Sequence, residues 1–327
     1  MSKPLFSVVI PVYNVEQFIE KCLTTVVNQT YKDFEVIIVN DGTKDNSLSI
    51  CEKFAKEDKR ITIISQENKG LAAARHTGAQ ASKGQYIINI DSDDWVDLDY
   101  FETLATIIKE NNEPDLVCLN YHENDDKLFE KPGFNNVLLN KEQIKKEIYP
   151  YLIRNKRYEY FFPTAWSKAI KRELFAKNTC EKRIQVGEDG AVIDSVVTQC
   201  QTIYLSNKTG YHYRVTENSM IQNKKPRNYN DVINTYEHIK SRINLDEADF
   251  RLQLDRLVCH LTFNCSVTQF YGHKYKEAKK IILENLNTPI IKSAIEHIDA
   301  SGFKGKLMRY SLKHRRIYLM KLYSYIM

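Results

Sequence analysis

Short apolar runs alternate with segments of helical periodicity through the first third of the chain. Five runs have the length and β-branched content of buried strands, at residues 6–10, 34–39, 61–64, 87–90 and 115–121. Between them, apolar residues recur at three- and four-residue steps, which predicts helices. Strands that alternate with helices in this way are typical of an α/β fold with a mostly parallel, doubly wound, Rossmann-like sheet.

This alternation ends near residue 124, and the rest of the chain is organised differently. The next eighty or so residues combine a polar loop, helical segments and an aromatic stretch that ends at Trp166. The C-terminal third is helical in its periodicity, with neither an internal repeat nor a low-complexity linker before it. We predict a first domain over residues 1–222 and a helical C-terminal region over residues 223–327.

Polar residues gather where the predicted strands end or where the next helix begins. These segments are residues 11–14, 41–42, 68–70 and 91–94. Open α/β sheets bind ligands beyond the carboxyl ends of their strands. Because all four segments fall on that edge of the predicted sheet, we expect the functional site there.

The segment at residues 91–94 contains three carboxylates directly after an Ile-rich strand. Asp91 and Asp93 are one residue apart, so their side chains leave the same side of an extended backbone. Carboxylates packed this closely repel one another unless a cation lies between them, commonly a divalent metal that also carries phosphates. The alternative is a solvated acidic turn before the helix that begins near Asp97, and the residues alone leave both interpretations open.

Composition narrows the class of protein. A hydrophobic content of 43% and a charged content of 27% are ordinary for a soluble globular protein. The sequence contains no run of about 18 apolar residues and no signal-peptide core at its start. Seven scattered cysteines without a C-x-x-C pair indicate reduced thiols, with neither a disulfide framework nor a zinc site. We expect a cytoplasmic protein, with peripheral association at the inner face of the cell membrane as an option.

The net charge of +5 is unevenly distributed, because residues 301–327 include seven Lys or Arg and no acidic residue. Apolar residues follow three- and four-residue steps in the same segment, at Met308, Leu312, Leu319, Leu322 and Ile326. Such a segment can dock on an anionic membrane surface or a partner helix, or pack on the preceding helices. Nucleic acid is not an expected partner, because no recognised binding module accompanies the charge.

Two classes of nucleotide-binding enzyme with α/β sheets are disfavoured. The first strand is followed by Pro-Val-Tyr-Asn instead of the glycine-rich loop of dinucleotide enzymes. The P-loop signature G-x-x-x-x-G-K-[ST] does not occur in the sequence. Dehydrogenases and P-loop enzymes are therefore poor matches to this chain.

Five separated segments resemble glycosyltransferase family 2 in their order and approximate spacing. They are Ser-Val-Val-Ile-Pro-Val-Tyr-Asn at 7–14, Val-Asn-Asp-Gly-Thr-Lys-Asp-Asn-Ser at 39–47, Asn-Lys-Gly-Leu-Ala-Ala-Ala-Arg at 68–75, Asp-Ser-Asp-Asp at 91–94 and Gly-Glu-Asp-Gly at 187–190. The resemblance covers residues 5–220, about two thirds of the chain. It implies a GT-A fold and an inverting enzyme that transfers a sugar from a nucleotide donor.

The resemblance also implies roles in donor binding. Asp41 would read the nucleotide base, usually uracil, although Asp before Gly42 is also a common turn residue. Pro11 and Tyr13 would lie against the nucleoside, with plain packing as the alternative for the Tyr13 ring. Arg75 would pair with Asp91 or with a phosphate, unless it is a solvated helix charge. Further donor-contacting positions are Asn68, Gly70, Ser92 and Arg214.

Metal binding and proton transfer are assigned by the same resemblance. Asp93 would be the principal ligand of Mg²⁺ or Mn²⁺ in the DxD motif, and Asp91 would hold sugar or ribose hydroxyls. His212 would be a further metal ligand, although a lone His is more often a surface or core residue. Asp189 matches the catalytic base, with Glu188 as its competitor and a dipole-compensating role as the bland alternative.

From these residues we expect a metal-dependent hexosyl- or N-acetylhexosaminyl-transferase that uses a UDP-sugar. Its acceptor would be a glycan or lipid-linked oligosaccharide in the biosynthesis of a surface polysaccharide such as a capsule. Trp166 could stack on an acceptor sugar or belong to the core. The alternatives are a sugar-1-phosphate nucleotidyltransferase, whose Gly-rich first loop is missing, and a non-catalytic member that binds a nucleotide-sugar or scaffolds an assembly.

Overall fold

The computed structural model describes residues 3–125, 127–182, 184, 187–215 and 224–326. Backbone contacts divide the chain into two compact units. The first unit consists of Met1–Ile144, Thr164–Gln185 and Ser195–Thr216, and the second of Lys145–Pro163, Val186–Asp194 and Glu217–Met327. The predicted division at residue 222 stays a prediction.

Twelve strands occur in the described part of the chain. They are β1 (Phe6–Val12), β2 (Phe34–Asn40), β3 (Ile61–Ser65), β4 (Tyr86–Asn89), β5 (Trp95–Val96), β6 (Leu116–Cys118), β7 (Tyr121–Glu123), β8 (Lys127–Phe129), β9 (Val137–Asn140), β10 (Lys168–Lys171), β11 (Thr202–Leu205) and β12 (Tyr211–Tyr213).

The described residues also form thirteen α-helices. They are α1 (Ile19–Val27), α2 (Ser47–Glu57), α3 (Leu71–Ala81), α4 (Tyr100–Glu110), α5 (Lys141–Glu147), α6 (Arg172–Asn178), α7 (Glu188–Gln199), α8 (Tyr229–Lys240), α9 (Phe250–Thr268), α10 (Tyr275–Asn285), α11 (Pro289–His297), α12 (Gly302–Lys313) and α13 (Ile317–Ser324).

The core of the first unit is an eight-stranded sheet in the order β3-β2-β1-β4-β10-β6-β11-β9. β1 pairs in parallel with β2 and β4, and β2 pairs in parallel with β3. All seven residues of β1 are buried, as expected of a central parallel strand covered on both faces. The predicted mostly parallel α/β sheet is confirmed.

The sequence did not predict β10, which lies antiparallel between β4 and β6. The strand is only four residues long and contains two lysines, so its pattern lacks an apolar run. It also interrupts the series of parallel strands, because β6 pairs in parallel with β11 on its other side. The predicted strand at 115–121 is likewise two short strands, β6 and β7.

α3 packs closely on β1 and β2 because its residues are small. At Gly78 the packing leaves no room for a side chain, since a Cβ added there would lie 2.4 Å from Cγ1 of Val9. Ala72, Ala73 and Ala74 are buried on the same helix. This close approach brings the next residue of α3, Arg75, into the interior of the first unit.

A second sheet in the order β5-β12-β7-β8 stands beyond the acidic turn. β12 pairs antiparallel with β5, which places Tyr211 opposite Val96 and His212 opposite Trp95. On its other side β12 pairs in parallel with β7. This small sheet therefore connects the acidic turn to the chain about 120 residues later.

The second unit is helical and is built around α9, which confirms the predicted helical C-terminal region. α8, α11, α12 and α13 all pack on α9. From the apolar series of the tail, Met308 and Leu312 are buried, whereas Leu322 and Ile326 are 56% and 80% exposed. The tail thus packs on the preceding helices through part of its apolar residues only. Within the described residues, no helix combines the length and apolar character needed to cross a bilayer.

Candidate functional site

The acidic turn begins directly after β4 and is held by α3. The amide of Asp94 donates to the main-chain oxygen of Asp91 at 3.0 Å, which closes the turn. Nη2 of Arg75 donates to Oδ1 of Asp91 at 2.6 Å, and the Arg75 side chain is only 5% exposed. A buried, charge-assisted hydrogen bond of this kind fixes both side chains in position. The pair with Asp91 is one of the roles considered for Arg75 from the sequence.

Asp93 lies in an environment that opposes its negative charge. Burial and the neighbouring carboxylate of Asp91 raise the pKa of Asp93 to about 6, although Arg214 and Arg75 act in the opposite direction. Nε of Arg214 donates to the main-chain oxygen of Asp93 at 2.6 Å. A divalent cation would relieve the repulsion between the two carboxylates.

The donor set at this turn fits a divalent metal that is shared with a ligand. Among the described residues, no group of three or more His, Cys, Asp or Glu side chains could hold a metal by itself. Mg²⁺ is usually held by one or two carboxylates together with substrate phosphates and water. Asp93 and Asp91 supply that smaller number of protein ligands.

Asp94 is a residue of this site to which the sequence assigned no role. It is fully buried, and burial together with Asp93 and Asp91 raises its pKa well above the ordinary range. The Tyr211 hydroxyl donates to Oδ2 of Asp94 at 2.6 Å, and the amide of Arg214 donates to Oδ1 at 2.7 Å. Asp94 therefore attaches β12 to the acidic turn. The only sequence signal was a third acid in the run.

His212 belongs to a stack of three rings. Its ring lies 5.1 Å from that of Trp95 and 5.0 Å from that of His122, with interplanar angles of 11° and 16°. Nδ1 of His212 lies 2.9 Å from the main-chain oxygen of Asn124, and Nε2 lies 2.9 Å from Oδ1 of Asp97. Both ring nitrogens are thus engaged, and binding a metal would require one of these contacts to break. The geometry favours a structural role over the predicted metal-ligand role.

Two positively charged side chains lie against the Trp95 ring of this stack. Nζ of Lys21 lies 3.4 Å from the centre of the Trp95 ring, and Cζ of Arg214 lies 4.5 Å from it. His212 and Arg214 therefore both contact Trp95. Residues 216–219, shortly after β12, lie outside the described residues.

Asp41 organises a second cluster at the same carboxyl edge. It is 3% exposed, and its Oδ1 accepts from Nε2 of Gln66 at 2.8 Å and from the amide of Lys69 at 2.9 Å. Its Oδ2 accepts from the amide of Gly70 at 2.8 Å. A carboxylate offers about four acceptor positions, so one on Oδ2 is left for a further donor. Gly70 has a φ of +89°, a backbone conformation that residues with a Cβ rarely adopt.

The remaining residues predicted to contact the nucleotide-sugar differ in their exposure. Pro11 is buried within β1, whereas Tyr13 just beyond it is 45% exposed. Asn68 is exposed, and Ser92 is buried in the acidic turn. The structure thus provides an open aromatic ring at the end of β1.

Asp189 and Trp166 belong to different units of the chain. Asp189 is the second residue of α7 and belongs to the second unit, so its role as a base stays a prediction. Trp166 is buried in the first unit and stacks on Tyr211 and Tyr213 at 4.9 and 5.3 Å. Its ring is therefore part of the packing behind the acidic turn, the core role considered from the sequence.

Comparison with known proteins identifies the family of this chain. The sequence profile of Glycosyl transferase family 2 matches residues 7–179. Glycosyltransferase GlyA of Streptococcus pneumoniae is 36% identical over 65% of this chain, which spans only 31% of GlyA. The uncharacterized glycosyltransferase EpsJ of Bacillus subtilis is 30% identical over 98% of this chain and 95% of its own length.

Solved structures show the same fold. The crystal structure of S. aureus TarS residues 1–349 in complex with UDP superimposes with a TM-score of 0.67 at 18% identity, covering 98% of this chain and 90% of that one. The predicted GT-A architecture with a helical C-terminal region is thereby confirmed. Together with the family profile and the full-length similarity to EpsJ, this makes the chain a member of glycosyltransferase family 2.

Proposed function

We propose that this protein is an inverting, metal-dependent glycosyltransferase that uses a UDP-sugar donor. The observation that carries the proposal is the cluster of Arg75, Asp91 and Asp93 at the carboxyl edge of the sheet, with Asp41 at the same edge. TarS, which shares the fold, has been crystallised with UDP and with UDP-GlcNAc, and this supports the donor class.

The nucleoside would bind at the ends of β1 and β2. The ring N–H of uracil would donate to the acceptor position left on Oδ2 of Asp41. The exposed ring of Tyr13 would pack against the nucleoside, beside the backbone of Pro11. Asn68 and Gly70 would line the same pocket because the Asp41 carboxylate holds their loop.

The diphosphate would bind at the acidic turn. Asp93, with Asp91 beside it, would hold Mg²⁺ or Mn²⁺, which when bound supplies positive charge to the diphosphate leaving group. Asp91 would also orient sugar or ribose hydroxyls while Arg75 holds its carboxylate in place. Ser92 belongs to this turn, and Arg214 adds a fixed positive charge beside Asp93. His212 is not included, because both of its ring nitrogens already have partners.

Proton transfer would be carried out by Asp189. In an inverting transfer, the acceptor oxygen attacks the anomeric carbon as the bond from that carbon to the diphosphate breaks. Asp189 would take the proton of the attacking hydroxyl during this step. The acceptor hydroxyl would belong to a glycan or lipid-linked oligosaccharide of a surface polysaccharide, with the protein working in the cytoplasm at the membrane face.

Two substitutions test the proposal against a non-catalytic, nucleotide-binding member of the family. UDP binding by calorimetry should require Mn²⁺ or Mg²⁺ and be lost in Asp93→Asn, because the amide cannot replace a charged ligand. Asp189→Asn should retain UDP binding but lose sugar transfer by about a hundredfold or more. Asp99→Asn, a change at an exposed carboxylate, is the matched control. Metal-independent binding would refute the metal site, and full transfer by Asp189→Asn would refute the base.

A further inference from the structure

The second unit contains a cavity that the proposed donor site does not use. Its volume is about 450 Å³, within the range of sites that hold small ligands. Its lining includes Lys224, Tyr271, Lys274, Tyr275, Lys321 and Tyr325. Cations and aromatic rings thus alternate around one opening.

The rings and ammonium groups of this cavity are arranged in pairs. Nζ of Lys321 lies 5.4 Å from the centre of the Tyr275 ring, and Nζ of Lys224 lies 5.9 Å from that of Tyr271. The Tyr275 ring also stacks on Phe270, with centres 6.0 Å apart and an interplanar angle of 18°. The ammonium groups of Lys224 and Lys321 are therefore held near ring faces. The rings attract these groups without neutralising their charge.

Among the described residues, the lining of the cavity combines three lysines with no Asp or Glu. None of the three lysines forms an ion pair with a carboxylate among the described residues. Beside the lining, Oε1 of Glu277 lies 3.2 Å from Nδ1 of His273, so this carboxylate is engaged with the imidazole ring. An anion entering the cavity would meet three positive charges.

We propose that this cavity binds a saccharide that carries a phosphate ester. A sugar ring places its C–H face on an aromatic ring, and the lining residues Tyr275 and Tyr325 are 39% and 74% exposed. The ester group would accept charge-assisted hydrogen bonds from Lys224 and Lys321. An acyl chain would not suit this lining, because tyrosine hydroxyls and ammonium groups interrupt its apolar surface.

The ligand would be a phosphate-bearing part of the acceptor. That identification rests on the proposed function, whereas binding to the cavity itself does not depend on donor chemistry. The phosphate could belong to the glycan or to a phospholipid headgroup, and both would present a negatively charged ester to the lysines. We assign the glycan because the ring faces are matched to a sugar.

The test measures binding of α-glucose 1-phosphate to the full chain by saturation-transfer NMR. Lys321→Gln and Lys224→Gln should each weaken binding by about threefold or more, since each removes one charge from the ligand's surroundings. Tyr275→Leu should weaken the binding of glucose 1-phosphate more than the binding of inorganic phosphate. Lys313→Gln, an exposed change on α12 outside the cavity, should leave the affinity unchanged. Circular dichroism of each variant verifies folding.

Saturating UDP with Mn²⁺ should not displace glucose 1-phosphate, which separates this site from the donor site whether or not the donor proposal holds. Displacement by UDP, or equal affinities for the wild type and both lysine variants, would overturn the proposal. Tighter binding of monomeric dihexanoyl phosphatidylglycerol than of glucose 1-phosphate would assign the cavity to a lipid headgroup and overturn it as well.

Discussion

Tyr211 connects two residues of the acidic turn through a single hydroxyl. The hydroxyl accepts from the amide of Asp91 at 3.2 Å and donates to Oδ2 of Asp94 at 2.6 Å. Because Asp94 is fully buried, removing the Tyr211 hydroxyl would take one hydrogen bond from a carboxylate that water does not reach. The network thus ties the position of the proposed metal ligand to a residue on another sheet.

We expect Tyr211→Phe to lower the free energy of unfolding by about 1–3 kcal/mol, the usual effect of leaving a buried polar group unsatisfied. Urea denaturation measures the change. Tyr213→Phe is the matched control, because Tyr213 also stacks on Trp166 but its hydroxyl has no hydrogen bond within the described residues. Equal losses in the two variants would contradict the role of the Tyr211 hydroxyl.

His260 makes the stability of the protein depend on pH. Burial, with Arg154 and Arg227 nearby, lowers the pKa of His260 to about 3, whereas in the unfolded chain it lies near 6.5. Below the unfolded value the unfolded state binds more protons than the folded state. His260 therefore contributes a loss of stability as pH falls from about 6.5 toward 3.

We expect His260→Gln to reduce the decrease in unfolding free energy between pH 7 and pH 4.5. Urea titrations at both pH values measure it, and the wild type provides the reference slope. His314→Gln is the control, because His314 is exposed and forms no ion pair among the described residues. A slope in His260→Gln equal to that of the wild type would contradict the prediction.

At the scale of elements, the contact of α3 with β1 decides where Arg75 lies. Small residues let the helix approach the sheet, and a Cβ added at Gly78 would lie 2.4 Å from Cγ1 of Val9. The pattern of α3 predicted a small-residue helix, but only the packing shows that it buries an arginine beside Asp91. The packing of one helix thus fixes the position of a positively charged side chain at the proposed donor site.

Gly78→Ala should destabilise the protein by about 1–3 kcal/mol, because its Cβ would overlap Cγ1 of Val9. It should also weaken UDP binding by shifting Arg75. The double variant Gly78→Ala/Val9→Ala removes the overlapping atom and should recover part of both losses, as measured by urea denaturation and calorimetry. Additive losses in the double variant would contradict the steric explanation.

At the scale of the whole molecule, exposed apolar side chains and positive charge coincide at the C-terminal end of the chain. Phe303, Leu322 and Ile326 are 82%, 56% and 80% exposed, in a segment with seven Lys or Arg and no acid. This combination is typical of surfaces that lie on anionic bilayers. A surface-polysaccharide enzyme with a lipid-linked acceptor would have a use for it.

We expect the full chain to sediment with vesicles that contain phosphatidylglycerol, and to do so less at high salt. Leu322→Ser/Ile326→Ser should reduce the bound fraction several-fold, because both apolar contacts with the bilayer are lost. Leu98→Ser, a change at a leucine 54% exposed in the first unit, is the control. Equal sedimentation of all three proteins would contradict a role for this surface.

The prediction from sequence was most successful where the signal was local. β1, β2 and β4 are continuous apolar runs, and their ends carry Asp41 and Asp91 within one or two residues. β10 escaped prediction because its burial comes from its neighbours β4 and β6 and not from its own pattern. The same limit applies to His212, whose ring partners Trp95 and His122 are distant in the chain.

By itself, the sequence determined the parallel sheet, the edge where polar residues gather and the family, because periodicity and short motifs are properties of neighbouring residues. Only the tertiary structure decided which side chains support the acidic turn. Tyr211 and Asp94 are 117 residues apart, and Arg75 and Asp91 are 16 apart on different elements. Contacts of that kind, like the lysine and tyrosine cavity of the second unit, depend on how the elements pack.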